Sequence, residues 1–257
     1  MGEFFADVHA SAKSQLGGAS CRIADTPEIT MLRTAESYEE LLGLAKALCW
    51  QLRYLEAIEI YTRAIALKPE SPAAYRQRAA RYISTLQPLN AVKDLLQCRA
   101  LGLDPMDISY RLGISCYLAG DYHEAIREFS VCYPLCDDEM GIAVIFWHTL
   151  SSWHINASPK LLHHYHTGMQ AGHHTAYERV AALAAGKAGL STLLDELGSE
   201  TDDMQFSILG YGTAQYLYHT GCAKQADSLI RQVLSRDGFW ITYAYLAAWN
   251  ALNMTDS

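Results

Sequence analysis

No run in this chain approaches the ~18 consecutive apolar residues of a membrane span. The longest candidate, Gly141–Trp147, is only long enough for a buried helix segment. The opening stretch, MGEFFADVHASAKSQ, places acids early and lacks an apolar h-region, so no signal peptide is expected. Basic residues are in deficit. There are 20 Lys and Arg against 28 Asp and Glu, a net charge of -8. Nucleic-acid binding needs clustered Lys and Arg on phosphates, so the balance argues against that class. The deficit is uneven: residues 1–100 carry 12 basic and 11 acidic side chains, and residues 101–257 carry 8 and 17. An acidic second half favours solubility and repels acidic partners.

The seven cysteines are odd in number and scattered over apolar positions. That pattern excludes a disulfide framework and predicts reduced, buried thiols of a cytoplasmic protein. Catalytic signatures are missing too. The chain has no GxGxxG, no P-loop and no GxSxG elbow, and His123-Glu124 is followed by Arg127, not the second His of a zinc-protease helix. The acids Asp195, Glu196, Glu200, Asp202 and Asp203 read as a solvated loop and not an acid/base pair. No catalytic residue, metal site or cofactor is predicted, and the chain is expected not to be an enzyme.

What the sequence does hold is a repeat. In 257 residues, half of them hydrophobic, a sizeable core can form. Ala57, Ala91 and Ala125 fall 34 residues apart. Tyr61, Leu95 and Phe129 keep the same step, as do Ala64, Cys98 and Cys132, and Ala45, Ala79 and Gly113. A fixed period of this length calls for a solenoid of helical pairs. Small residues recur where two helices must approach closely, and a large side chain there would cost on the order of 1–3 kcal/mol by overpacking. Ser37 and Glu40 form a capping box for the first regular helix. Lys68-Pro69 and Asp104-Pro105 end second helices.

These positions resemble the tetratricopeptide repeat (TPR) family. Segment 38–71 matches at Tyr54, Ala57, Tyr61, Ala64 and Pro69, and segment 106–139 at Leu112, Gly113, Gly120, Asp121, Tyr122, Ala125 and Phe129. Segment 72–105 departs at the turn, where Leu86-Gln87-Pro88 replaces Gly-Asp-Tyr. A further match, Tyr216–Val233, has Gly221 at its turn and Ala226 standing 101 residues after Ala125. The resemblance implies an all-α, right-handed alpha-alpha superhelix, a TPR-like solenoid of helical hairpins, over 34–253. Residues 1–33 are expected to be a disordered arm. The better repeats are 38–71, 72–105, 106–139 and 207–240. Degenerate repeats fill 140–206, with helices near 140–155, 159–171, 174–186 and 190–197, and a capping helix covers 239–253. The second half resembles the layout of NlpI-type bacterial TPR adaptor proteins, without their lipid-anchored N-terminus.

The family likeness also implies a concave groove lined by the first helix of each pair. The matching positions are Leu42, Lys46, Cys49 and Trp50, then Arg76 and Ile83, then Tyr110, Ile114 and Tyr117, then Tyr211, Gln215, Tyr218 and His219. Aromatic rings on one rigid face suit peptide binding. The carboxylate clamp of one TPR subclass is absent, because Leu42 and Lys46 stand where it has Lys and Asn. Arg76, Arg78 and Arg81 charge one helix, with Arg76 placed toward the groove and Arg78 at a packing position. The expected function is a non-catalytic interaction scaffold that binds a peptide or partner helix, with no nucleic acid and no membrane. Two other readings stay open. One is a self-associating structural protein or homo-oligomer, through Trp240, Trp249 and Tyr243–Tyr245. The other is metal binding by the segment holding His148, His154, His163, His164, His166, His173 and His174.

Overall fold

A computed structural model describes residues 12–21 and 23–254. Among the described residues there are thirteen α-helices and no strand. Within each of two compact units, each helix packs against its neighbour in the chain. No described helix is long and apolar enough to cross a membrane. The chain divides into two compact units, Met1–Asp104 and Pro105–Ser257.

Unit 1 holds α1 (Pro27–Leu32), α2 (Tyr38–Trp50), α3 (Tyr54–Leu67), α4 (Pro72–Ser84) and α5 (Pro88–Ala100). The capping box forms as expected. The Glu40 amide donates to Ser37 Oγ (3.4 Å), and the Ser37 amide donates to Glu40 Oε2 (3.0 Å). Two of the four orphan donors at the start of α2 are thereby satisfied. Prolines open α4 and α5, where the missing N–H costs nothing. The repeat positions pack as their sizes demand: Ala45, Ala57, Ala64, Ala79, Ala91, Leu95 and Cys98 are fully buried.

The arm expected to be disordered docks from residue 12 onward. Gln15, only 1% exposed, donates to Ala12 O (2.9 Å) and Leu52 O (2.6 Å) and accepts from the Leu55 amide (2.9 Å). It thus covers open backbone groups at the α2–α3 turn. Arg53 and Arg33 both bond Asp25 and Glu56 at 2.6–3.1 Å, which ties the arm to α3. The Arg33 guanidinium holds the Asp25 carboxyl well below the usual carboxylate range. Residues 1–11 of the predicted arm lie outside the described residues.

Unit 2 holds α6 (Pro105–Leu118), α7 (Tyr122–Cys132), α8 (Asp138–His154), α9 (Thr175–Ala184), α10 (Leu190–Ser199), α11 (Asp203–His219), α12 (Ala223–Ser235) and α13 (Tyr243–Met254). Its first hairpin continues the repeat. Gly113 has no room for a side chain, since a Cβ there would lie 2.5 Å from Phe129. Cys132 Sγ approaches Met106 O (3.4 Å) just as Cys98 Sγ approaches Pro72 O (3.6 Å), one period earlier. The turns also repeat. Leu52 (φ 57°), Leu86 (φ 53°) and Gly120 (φ 79°) take the left-handed conformation at the same 34-residue step, and Gly221 (φ 82°) follows. The departure at Leu86 therefore leaves the turn conformation intact, at a strain of about 1–2 kcal/mol for an L side chain.

Beyond α7 the pattern changes. Every residue from Gly141 to Ser152 of α8 is buried, and so is every residue from Phe206 to Gln215 of α11. A helix apolar all round has to be enclosed. Here α6, α7, α9 and α11 pack around α8. The last helix also returns to the first. Arg111 Nη1 donates to Tyr243 OH (3.3 Å), and Asn250 Nδ2 donates to Leu118 O (2.8 Å). Contacts of that range depart from the neighbour-only pattern of an open solenoid.

The helix expected over 159–171 does not form. A short 3-10 turn, Lys160–His164, is followed by an extended connection with Gly168 (φ 97°) and Gly172 (φ 52°). The acids that open α8 bind that connection: Gln170 N donates to Asp138 Oδ2 (3.2 Å) and His173 N to Glu139 Oε1 (2.8 Å). Too few apolar residues lie between Pro159 and Thr175 to bury a helical face.

Candidate functional site

Unit 1 holds an open cavity of about 480 Å3 between its two first helices. From α2 come Leu42, Lys46, Cys49 and Trp50, which share one helical face at i, i+4, i+7 and i+8. The opposite face of α2, with Leu41, Leu44, Ala45 and Leu48, is buried in the core and fixes the orientation of the first. Ala73, Gln77 and Arg81 of α4 stand across the cavity, again at four-residue steps, and Tyr61 of α3 closes the floor. Trp50 exposes 79% of its surface. A ring of that size left in water is the costliest kind of apolar surface to expose.

Two cations line the cavity and no acid does. The Arg81 guanidinium lies over the Tyr54 ring, 4.5 Å from its centroid. Its Nε is buried without a hydrogen-bond acceptor, a situation that costs roughly 1–3 kcal/mol. Lys46 is exposed. Elsewhere in the unit Arg33 and Arg53 share Asp25 and Glu56, and Arg78 binds Asp94 through both Nε (2.8 Å) and Nη2 (2.7 Å). Arg78, placed at a packing position by the repeat, is thus held by a carboxylate. Burial pushes the Cys49 thiol and the Tyr61 phenol up, so both stay neutral near 3.9 Å of each other. The cavity offers aromatic surface, two positive charges and one amide. It presents no carboxylate or imidazole for proton transfer.

Four of the predicted groove residues, Leu42, Lys46, Cys49 and Trp50, come together here. Arg76 does not line the cavity; it is half-buried on the neighbouring face of α4, and Gln77 and Arg81 take the place expected for it. Ile83 is fully buried. Nothing local in the sequence marks Arg81: Arg76 and Arg78 also lack an acid three or four residues away, and Arg78 finds Asp94 on the next helix.

The residues predicted for the second half of the groove are interior. Ile114, Tyr117, Tyr211 and Gln215 are at most 5% exposed. The Tyr117 hydroxyl lies 2.7 Å from that of Tyr211 and 3.1 Å from His154 Nε2. Tyr110 packs edge-on to Phe129, with ring centroids 6.2 Å apart, and against Tyr243. Burial pushes these phenols well up. The physical reason is the apolar surface of α8 and α11, which fills the space where a groove would run. Tyr218 and His219 of this set stay exposed; the Tyr218 hydroxyl donates to Asp227 Oδ1 (2.5 Å), and His219 stacks on Trp153.

Among the described residues no group of three His, Cys, Asp or Glu side chains gathers to hold a metal. His148 is buried inside α8, His154 stacks on Tyr122 and His164 on Tyr133. His174 Nδ1 lies 2.7 Å from Glu139 O. The histidines are therefore dispersed among unrelated contacts. Trp240 and Tyr245, named for self-association, are also buried. No protein-family model matches the chain.

Proposed function

We propose that the chain is a non-catalytic interaction scaffold of TPR-like helical hairpins, in which unit 1 binds an extended peptide or a partner helix between α2 and α4. The carrying observation is Trp50, a largely exposed tryptophan on the wall of a 480 Å3 cavity formed by two first helices. Sites for small ligands and peptides are concave, mostly apolar and marked by a few placed polar groups, and this cavity fits that description. The 34-residue recurrence of left-handed turn residues supports the TPR-like reading of both units' first hairpins. The cysteines are all thiols, with no disulfide among them, which suits a reducing compartment such as the cytoplasm.

Trp50→Ala tests the reading. Partners captured by the wild-type chain should be lost by the variant, with unchanged helical circular dichroism. Partners retained in full by Trp50→Ala would show that binding lies elsewhere.

A further inference from the structure

We infer that the unit 1 cavity selects an acidic peptide segment, one with a carboxylate side chain close to an aromatic or large apolar one. The inference rests on the groove reading above and adds the charge of the ligand. Three arginines of this unit already have carboxylates: Arg33, Arg53 and Arg78 are each bonded to Asp or Glu at 3.1 Å or less. Lys46 and Arg81 have none, and both line the same cavity. Arg81 is the sharper case. Its guanidinium lies 4.5 Å from the Tyr54 ring centroid, and its buried Nε has no acceptor within the chain. A carboxylate fits a guanidinium edge better than any neutral group. Trp50 and Leu42 supply apolar surface on the facing helix, so charge and ring belong to one short ligand segment. A volume of about 480 Å3 accommodates a few side chains.

The test pans a displayed library of random peptides on the full chain, with Trp50→Ala as the counter-selection. Recovered peptides are then synthesised with each Asp or Glu kept or changed to Asn or Gln, and their affinities are measured by fluorescence anisotropy. The expected result is enrichment of Asp or Glu next to an aromatic residue. Each acid-to-amide change should weaken binding roughly tenfold or more. Arg81→Gln and Lys46→Gln should each shrink that difference. Lys46 is exposed, so Lys46→Gln decides the matter if Arg81→Gln fails to fold. Trp50-dependent binders without acidic enrichment, or with equal affinity for acid and amide versions, would overturn the inference and leave the groove reading standing. Absence of any Trp50-dependent binder would overturn both. Concentration-dependent dimerisation abolished by Trp50→Ala would make a second copy the occupant and would also overturn the inference.

Discussion

Trp50 stands on α2 and Trp147 on α8, and Trp50 exposes 79% of its surface while Trp147 exposes none. The hairpins α2–α3, α4–α5 and α6–α7 are alike. Small residues fill the close contacts, and the turn residue takes positive φ at a constant step. What differs is the face that the hairpin contacts leave unspecified. On α2 and α4 that face carries Lys46, Gln77 and Arg81. On α8 it carries Phe146, Trp147 and Leu150, and no charged residue occurs between Gly141 and Ser152. A charged face must remain in water, whereas an apolar one gains about 25 cal/mol per Å2 by closing over. The repeat thus sets how helices pair, and the outer face decides whether the result is a groove or a core.

The contrast can be broken most severely at the two tryptophans. Trp147→Ala removes a fully buried ring, and a loss of about 3–5 kcal/mol in unfolding free energy is expected from denaturant melts. Trp50→Ala should change stability by no more than about 0.5 kcal/mol. Comparable losses at both positions would contradict the assignment of groove and core.

Acid should separate the units next. His148 is 1% exposed, and burial lowers its pKa from 6.5 to about 4. The unfolded chain therefore takes up a proton in that window while the folded chain does not. Stability conferred by the neutral imidazole is complete above the unfolded pKa and falls as pH drops toward 4, by on the order of 3 kcal/mol. Unit 1 has no histidine among its described residues. Its Asp25 carboxyl titrates far below the usual range, so its contribution persists until the pH is well under 4. Hydrogen exchange from pH 7 to 4 should show α8 opening before α3. His148→Phe should shrink the early transition, because burial lowers the pKa of His154 on the same helix to about 4 as well, and simultaneous opening of both regions would count against this account.

The turns give the smallest effect. Leu86→Gly should relieve left-handed strain and stabilise by about 1 kcal/mol, while Gly120→Ala should destabilise by about the same amount. Opposite shifts in melting temperature would confirm that the two turns share one geometry despite different residues.

Hairpin pairing was legible in the sequence because it depends on side-chain size at fixed steps, as at Ala57, Ala91 and Ala125. The left-handed turns were legible at Gly120 and Gly221 but not at Leu52 and Leu86, since leucine carries no mark of positive φ. Lys46 and Trp50 were found because α2 presents the face that the repeat implies. Arg81 was missed because α4 turns the neighbouring face to the cavity. Tyr117 and Tyr211 were assigned to a groove because the repeat match puts them at groove-facing positions of first helices, and the structure buries both. What buries them is the apolar outer surface of α8 and α11, which the repeat does not describe.

The most direct measurement is a binding titration of one library-derived peptide against Trp50→Ala and Tyr117→Phe. The second variant keeps the packed ring and deletes only the hydroxyl that meets Tyr211 and His154. A loss of roughly tenfold or more with Trp50→Ala, and wild-type affinity with Tyr117→Phe, is the predicted result. Wild-type affinity with Trp50→Ala together with a loss at Tyr117→Phe would contradict it.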